Sequence, residues 1–379
     1  MKMLIVGGGI AGSALASYLQ NKNLWEITLI EKAEKWRNIG FNISIWASGI
    51  EVIDRLGLLK EFKEKALAGD SGKFYDYSGS LIANPNFPKV QNYGSYSCIH
   101  RADLHEILTH SLKNVEISFN TTILEIENSK DGIYVQTSDK KTETFDIVVA
   151  ADGMRSQTRS FLAPPEVLES YDWYMIGLWL PKNLPRPDSI VQILGKEFMA
   201  FLIPTSGDCT IGIIKKVDSS FSEPDKIFHK WLKDFTADMA PFIEKVIATL
   251  NNTENIYKDK LQYVDMNNWT NGRAIFIGDA RHGVSPIAGI GASLALEDAF
   301  VLGEELGKIE GPDFMEGAFD KFTKRRERKL RHARKFIDAT ETNFMRVKSP
   351  LGLILRNKIV KFYPELVLNH LKAYLQEPL

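Results

Sequence analysis

The chain has 379 residues, 44% hydrophobic and 25% charged, ordinary values for a folded protein of two or three domains or one large composite one. A core of that size needs neither metal nor disulfide to hold it, and a net charge of −1 gives no global field favouring nucleic acid. Cys98 and Cys209 are the only cysteines, form no CxxC pair and fit a reducing cytoplasm.

The first element is "MLIVGGGIAGSALASYL". Met3 to Val6 is too short an apolar run for a signal peptide or a membrane span, so a soluble cytoplasmic protein is expected. The run reads instead as a buried strand that enters a glycine turn and then a helix with apolar Leu15, Ala16 and Leu19 on its inner side. Gly7, Gly9 and Gly12 fill the GxGxxG pattern. The first allows the tight turn, the second a close approach to pyrophosphate, the third close packing of helix on strand. The free N–H groups of the helix start favour phosphate. A second strand, Ile27 to Ile30, ends in Glu31, about 20 residues past the glycines, where an acid meets a ribose hydroxyl. A carboxylate there also repels a 2′-phosphate. The competing reading is a glycine-rich turn with a surface glutamate.

A plain dehydrogenase would continue βαβ. Here "EKWRNIGFNISIWASGIEVIDRLGL" follows. Arg37 precedes Gly40 and a strand-like alternation through Ile43 and Ile45, then a helix from about Ser48 to Leu56. The connection brings a cationic side chain back over the nucleotide site.

Three later stretches join this pattern: "SCIHRADLHEIL" with Arg101, "DIVVAADGMRSQTR" with Asp152, Gly153, Ser156 and Arg159, and "RAIFIGDARHGVSPIAGIGASLALEDA" with Gly278, Asp279, Pro286, Gly289 and Gly291. With Arg37 and the opening glycines, the set resembles, in order and over residues 5–300, the single-component FAD-dependent aromatic hydroxylases. The resemblance implies an α/β fold: a Rossmann-like FAD-binding domain with an inserted β-sheet substrate domain and C-terminal helices. It implies non-covalent FAD held by Gly7, Gly9, Gly12, Glu31, Arg37, Ser44, Arg101, Asp152, Asp279, Gly289 and Gly291. Asp279 would bond the ribityl or pyrophosphate region, and the following helix would aim its positive end at the flavin pyrimidine, which gains charge on reduction. Pro286 would wall the place where oxygen reacts. No metal is expected, and no protein nucleophile is needed because the cofactor carries the chemistry.

The activity so implied is that of an NAD(P)H-dependent monooxygenase. It would insert one atom of O2 into an aromatic or polycyclic small molecule through a flavin C4a-hydroperoxide. There is no second GxGxxG, which fits a nicotinamide that visits transiently. Relatives hydroxylate phenolic acids, quinone precursors and polycyclic antibiotics. The same scaffold also serves reductases that saturate isoprenoid double bonds, and non-catalytic binding proteins. The chain departs from the family pattern in having Arg281 where a small residue is usual, Ile290 for Gln and Ser293 for Asn. Arg281 adds a cation that faces the ring, the substrate or solvent.

The domains expected are 1–72, 98–168 and 262–320 for FAD, 73–97 and 169–261 for the substrate sheet, and 321–379 for the C-terminal helices. Short strand-like runs from Tyr171 to about Thr210, broken by Pro and Gly, make the inserted sheet, and Phe74 to Tyr77 adds a strand to it. Tyr174, Trp179, Phe198 and Phe201 are candidates for a ring-binding pocket, with core packing the competing reading. Asp152 and Arg159 either contact nucleotide or hold a turn. His282 and His100 read as hydrogen-bonded turn residues rather than bases. The basic run "KFTKRRERKLRHARKF" carries Phe322, Leu330, Ala333, Phe336 and Ile337 at helical spacing, which predicts a packed helix with a solvated basic face. The last two apolar segments, split by Pro364, would pack on the FAD domain, form a dimer contact or associate weakly with a membrane. A monomer or homodimer is expected.

Overall fold

The computed structural model describes residues 1–37, 40–129, 131–163, 168–180, 182, 184–217, 256–264 and 266–379. Much of the expected 169–261 stretch therefore lies outside the described residues.

The first sheet has six strands. Lys2–Val6 is central, flanked in parallel by Glu26–Ile30 and Ile147–Ala150. Ala274–Phe276 extends one side in parallel and Glu116–Ser118 the other, with Thr270–Asn271 antiparallel at the edge. Its inner strands are apolar over Met3–Val6, Ile147–Ala150 and Ala274–Phe276 because both faces are covered there. Met3, Ile5, Leu29, Ile147 and Val149 share one core with the helices Ile10–Leu19, Arg101–His110 and Gly291–Leu306. Leu4, Val6, Ile30 and Val148 face the other way, against the antiparallel meander Ile123–Asn128, Ile133–Thr137 and Thr142–Phe145.

The second large sheet has seven strands, in the order Tyr257–Val264, Leu168–Trp179, Cys209–Lys216, Phe198–Pro204, Ile190–Leu194, Gly72–Asp76 and Leu81–Ala83. Gly72–Asp76 joins it in parallel to Ile190–Leu194, so the Phe74 stretch does belong to this sheet. A short sheet of Asn42–Trp46, Tyr96–His100 and Leu67–Gly69 lies beside it. Three long helices finish the chain: Met315–Thr340, Pro350–Phe362 and Pro364–Gln376.

The basic run lies within Met315–Thr340 and, as expected, buries Phe322, Leu330, Ala333, Phe336 and Ile337. Its basic residues do not all face solvent: Arg326 is 0% exposed and Lys329 1%. Of the last two helices, Leu368, Leu371 and Tyr374 are buried while Leu351, Phe362 and Leu366 stand exposed. Among the described residues, no helix is long and apolar enough to cross a membrane.

Candidate functional site

Four parallel strands place the sequence motifs at one edge. In sheet order, Ala274–Phe276 leads into Gly278-Asp279, Ile147–Ala150 into Asp152, Lys2–Val6 into the glycine loop, and Glu26–Ile30 into Glu31. Residues far apart in the chain converge because open α/β sheets bind ligands beyond the carboxyl ends of their strands.

At the glycine loop, a Cβ on Gly12 would lie 2.0 Å from the Gly7 carbonyl oxygen, so nothing larger lets helix and loop meet. A Cβ on Gly9 would meet nothing within 4 Å. The helix that begins beside it has no side-chain cap and no acid in its first turn, leaving its first N–H groups to an external acceptor. Glu31 accepts from Gly8 N (3.0 Å) and Ala33 N (2.9 Å), bracing the loop from the next strand. His105 Nε2 lies 2.6 Å from Gly8 O, and burial lowers its pKa. His105 went unremarked in the sequence, where nothing marks it except its place in the helix that Arg101 opens. Arg37 is exposed on the connection before Gly40, and Arg101 packs its side chain on Gly40.

Asp152 Oδ2 accepts from the backbone N and the hydroxyl of Thr158, both at 3.0 Å, while Oδ1 is buried without a partner. Arg159 is buried and donates to the carbonyls of Ala280 (2.8 Å) and Met154 (2.6 Å). It therefore ties the turn at Asp152 to the turn at Asp279.

The Asp279 side chain reaches solvent, and partial loss of hydration raises its carboxyl above the usual value, opposed by the charges of His282 and Arg101. Beneath it runs a buried ionic cluster. Asp298 accepts from Gly278 N (2.8 Å), from Arg326 Nε (2.7 Å) and from His282 Nε2 (2.5 Å). Burial pushes the Asp298 carboxyl up, but His282 and Arg326 outweigh it and hold it at about 2. It is thus an acceptor, which assigns the shared proton to His282 Nε2. Arg326 Nη1 lies 2.9 Å from Glu297 Oε2 as an ion pair, off the hydrogen-bonding direction. Tyr374 OH donates to Glu297 Oε1 at 2.7 Å, and Lys329 Nζ is 3.7 Å from the same oxygen. The sequence held one sign of this: Arg326 falls four residues after Phe322, on the apolar stripe rather than beside it.

Beyond His282 the chain makes a short turn, Pro286–Ala288, and enters Gly291–Leu306. Gly289 sits at φ +63°, a backbone that L side chains rarely adopt. Its carbonyl accepts from Ser44 Oγ (3.1 Å) and Trp46 Nε1 (3.0 Å), and Ser293 Oγ accepts from Trp46 N (2.9 Å). Ile290 is fully buried. The helix from Gly291 has neither a side-chain cap nor an acid in its first turn.

Pro286, Gly289 and Ser44 form one side of a cavity whose other walls are the seven-stranded sheet and the C-terminal helices. Of the aromatic candidates only Phe201 lines it. Tyr174 and Phe198 are corrected: both point to the opposite face of the sheet, into a cluster with Ile176, Leu178 and Ile211. Alternation decides this, since on strand Phe198–Pro204 residue 201 is three past 198 and so faces the other way. Trp179 packs on Phe41 and His100 outside the cavity lining. Arg281, open in the sequence between ring, substrate and solvent, is packed against protein. It is 6% exposed, with its guanidinium 4.5 Å over Trp269, and does not line the cavity.

The described groups fit a dinucleotide: a glycine cradle open at Gly9, uncapped helix starts and an unpartnered buried Asp152 oxygen lie at one sheet edge. A family model described as "FAD binding domain" matches residues 1–338, and the chain belongs to that family. It is an FAD-dependent monooxygenase of the aromatic-hydroxylase type. A flavin-dependent monooxygenase from an unknown prokaryotic organism is 26% identical over 80% of this chain and 81% of its own. Among solved structures, Klebsiella pneumoniae HpxO complexed with FAD and uric acid superposes with a TM-score of 0.85 at 21% identity, covering 100% of this chain and 97% of its own. The tetracycline destructase Tet(51) gives 0.77 at 22% identity, covering 100% and 98%.

Proposed function

We propose that the chain takes electrons from NAD(P)H and inserts one oxygen atom of O2 into an aromatic or polycyclic small molecule bound between the Pro286–Gly289 turn and the seven-stranded sheet. FAD, when bound, supplies the chemistry, by the hydroperoxide route that the resemblance implies. Gly7, Gly9, Gly12 and the helix start receive the pyrophosphate, and Glu31 stands beside them for the ribose. Arg37 and Arg101 add positive charge across the cleft, Asp152 and Asp279 offer acceptors, and Ser44, Gly289 and Gly291 shape the approach to the ring. The start of Gly291–Leu306 stabilises negative charge on reduced flavin. Residues 1–72, 98–168 and 262–320 form the FAD unit in this reading, with the substrate sheet built from 73–97 and 169–261.

The observation that carries the reading is the cavity itself. Pro286 and Gly289, at the head of the helix that would meet the flavin, face Phe201, Phe74 and Phe344 across it. Aromatic walls hold a flat ring, and an apolar enclosure keeps water from the reacting oxygen. The test is a screen of aromatic compounds for stimulation of NAD(P)H oxidation, with each product checked for a mass gain of one oxygen atom. Stimulation without that gain overturns oxygen transfer, and saturation of a double bond would favour the reductase.

A further inference from the structure

The cavity contains one polar side chain that the fold leaves uncommitted. Ser44 Oγ donates to Gly289 O, and Thr340 Oγ1 to Phe336 O at 2.8 Å. Gln192 lines the cavity too, and among the described residues nothing hydrogen-bonds its side-chain amide. Its place is defined by register. Gln192 pairs with Phe74 on one side and with Phe201 on the other, so a neutral amide sits between two aromatic rings in one row across three strands. The Phe201 ring lies over Gly212, where a Cβ would come within 2.1 Å of it. Pro286 and Gly289 belong to the turn on the other side of the cavity.

None of the described residues lining the cavity is charged. An ionised carboxylate entering it exchanges its hydration for at most a neutral amide donor and meets no cation among the described lining residues, which leaves its charge uncompensated. An amide, by contrast, both donates and accepts, so it satisfies a neutral carbonyl, hydroxyl or ring N–H. We propose that the cavity takes uncharged planar aromatic molecules, that it rejects aromatic carboxylates, and that Gln192 orients the ligand by a hydrogen bond to a neutral polar group, leaving its far edge toward Pro286. This rests on the cavity being the substrate site, and it makes Gln192 a specificity-determining residue.

The test uses FAD-loaded protein without reductant and three matched probes: 2-naphthamide, 2-naphthoate and naphthalene. Dissociation constants are read from the flavin absorbance change or from tryptophan quenching. The wild type is expected to bind 2-naphthamide at least about tenfold more tightly than 2-naphthoate. Gln192→Leu should weaken the amide by about tenfold while leaving naphthalene unchanged, which shows the cavity intact. Gln192→Lys should reverse the preference toward the carboxylate. Equal or tighter carboxylate binding by the wild type overturns the proposal. So does amide binding unmoved by Gln192→Leu, or no binding of any probe at millimolar concentration. Because these measurements involve no turnover, they separate from the reaction. Neutral ligands bound but never oxygenated would sink the oxygen-transfer reading and leave this one. Oxygenation of carboxylates would do the opposite.

Discussion

Arg326 Nε donates to Asp298 Oδ1 at 2.7 Å with both side chains wholly enclosed. The same carboxylate holds Gly278 N and His282 Nε2, the residues on either side of Asp279 and its turn. A helix from near the end of the chain thus sets the backbone on which Asp279 stands.

Removing one member of a buried pair strands the other. Arg326→Met should therefore cost about 3–5 kcal/mol in urea unfolding, far more than loss of an exposed arginine such as Arg328, at about 0–1 kcal/mol. A cost for Arg326→Met within that surface range would show that the pair is not buried as described.

The acid limb of stability should carry the same signature. The Asp298 carboxyl is held at about 2 in the folded protein against an ordinary 3.8. A depressed folded value gives stability that is fully present above 3.8 and lost as pH falls through about 2. The gap is worth roughly 2 kcal/mol. Asp298→Asn should lower stability at neutral pH and flatten its fall between pH 4 and pH 2. Parallel curves for variant and wild type would count against it.

Asp279 behaves in the opposite sense. Partial desolvation raises its folded pKa although the side chain reaches solvent, so its ionisation disfavours folding slightly as pH rises from the ordinary value through the folded one, an effect that solvent screening keeps small. Asp279→Asn should make the FAD-free protein more stable at neutral pH. Asp279→Ala and Arg101→Ala should each weaken FAD binding by about 10- to 150-fold, the loss of a charged partner from a polar cofactor atom. Fluorescence titration of FAD measures this, and unchanged affinity in both would remove these residues from the cofactor site.

Of the alternatives open for Arg281, the structure places the guanidinium 4.5 Å over Trp269 and away from the cavity lining. Arg281→Ala should lower stability by about 1–2 kcal/mol through the lost contact over Trp269. Flavin potential and ligand affinity should hold. A potential lowered by about 30 mV, equivalent to about 1.4 kcal/mol, would return the guanidinium to the flavin.

Acid precipitation should release all flavin into the supernatant. Both cysteines are buried, Cys98 on Tyr96–His100 and Cys209 on Cys209–Lys216, and burial raises their thiols, so neither offers a thiolate for a covalent link. Colour retained in the pellet would contradict non-covalent binding.

Much of the nucleotide edge was legible in the sequence because its signals are local. Gly7, Gly9 and Gly12 answer to the geometry of one turn, Glu31 follows directly on a strand, and Asp279 lies three residues past the end of another. The parallel strands and the helix after Gly289 also follow from short-range patterns. What only the tertiary structure decided lies where a side chain's fate depends on something distant. Trp173 to Leu178 is apolar almost throughout, because both faces of that sheet are covered, so alternation no longer tells which face meets the cavity. Tyr174 and Phe198 look as eligible as Phe201 until the strands are paired. Gln192 acquires meaning only between Phe74 and Phe201. Arg326 and Lys329 read as part of a solvated run because a burial cost is hidden until the opposing Glu297 and Asp298 are in place. Charge in a core is specified by its partner, and that partner sits about thirty residues away on another helix, a distance that folding closes and no local pattern records.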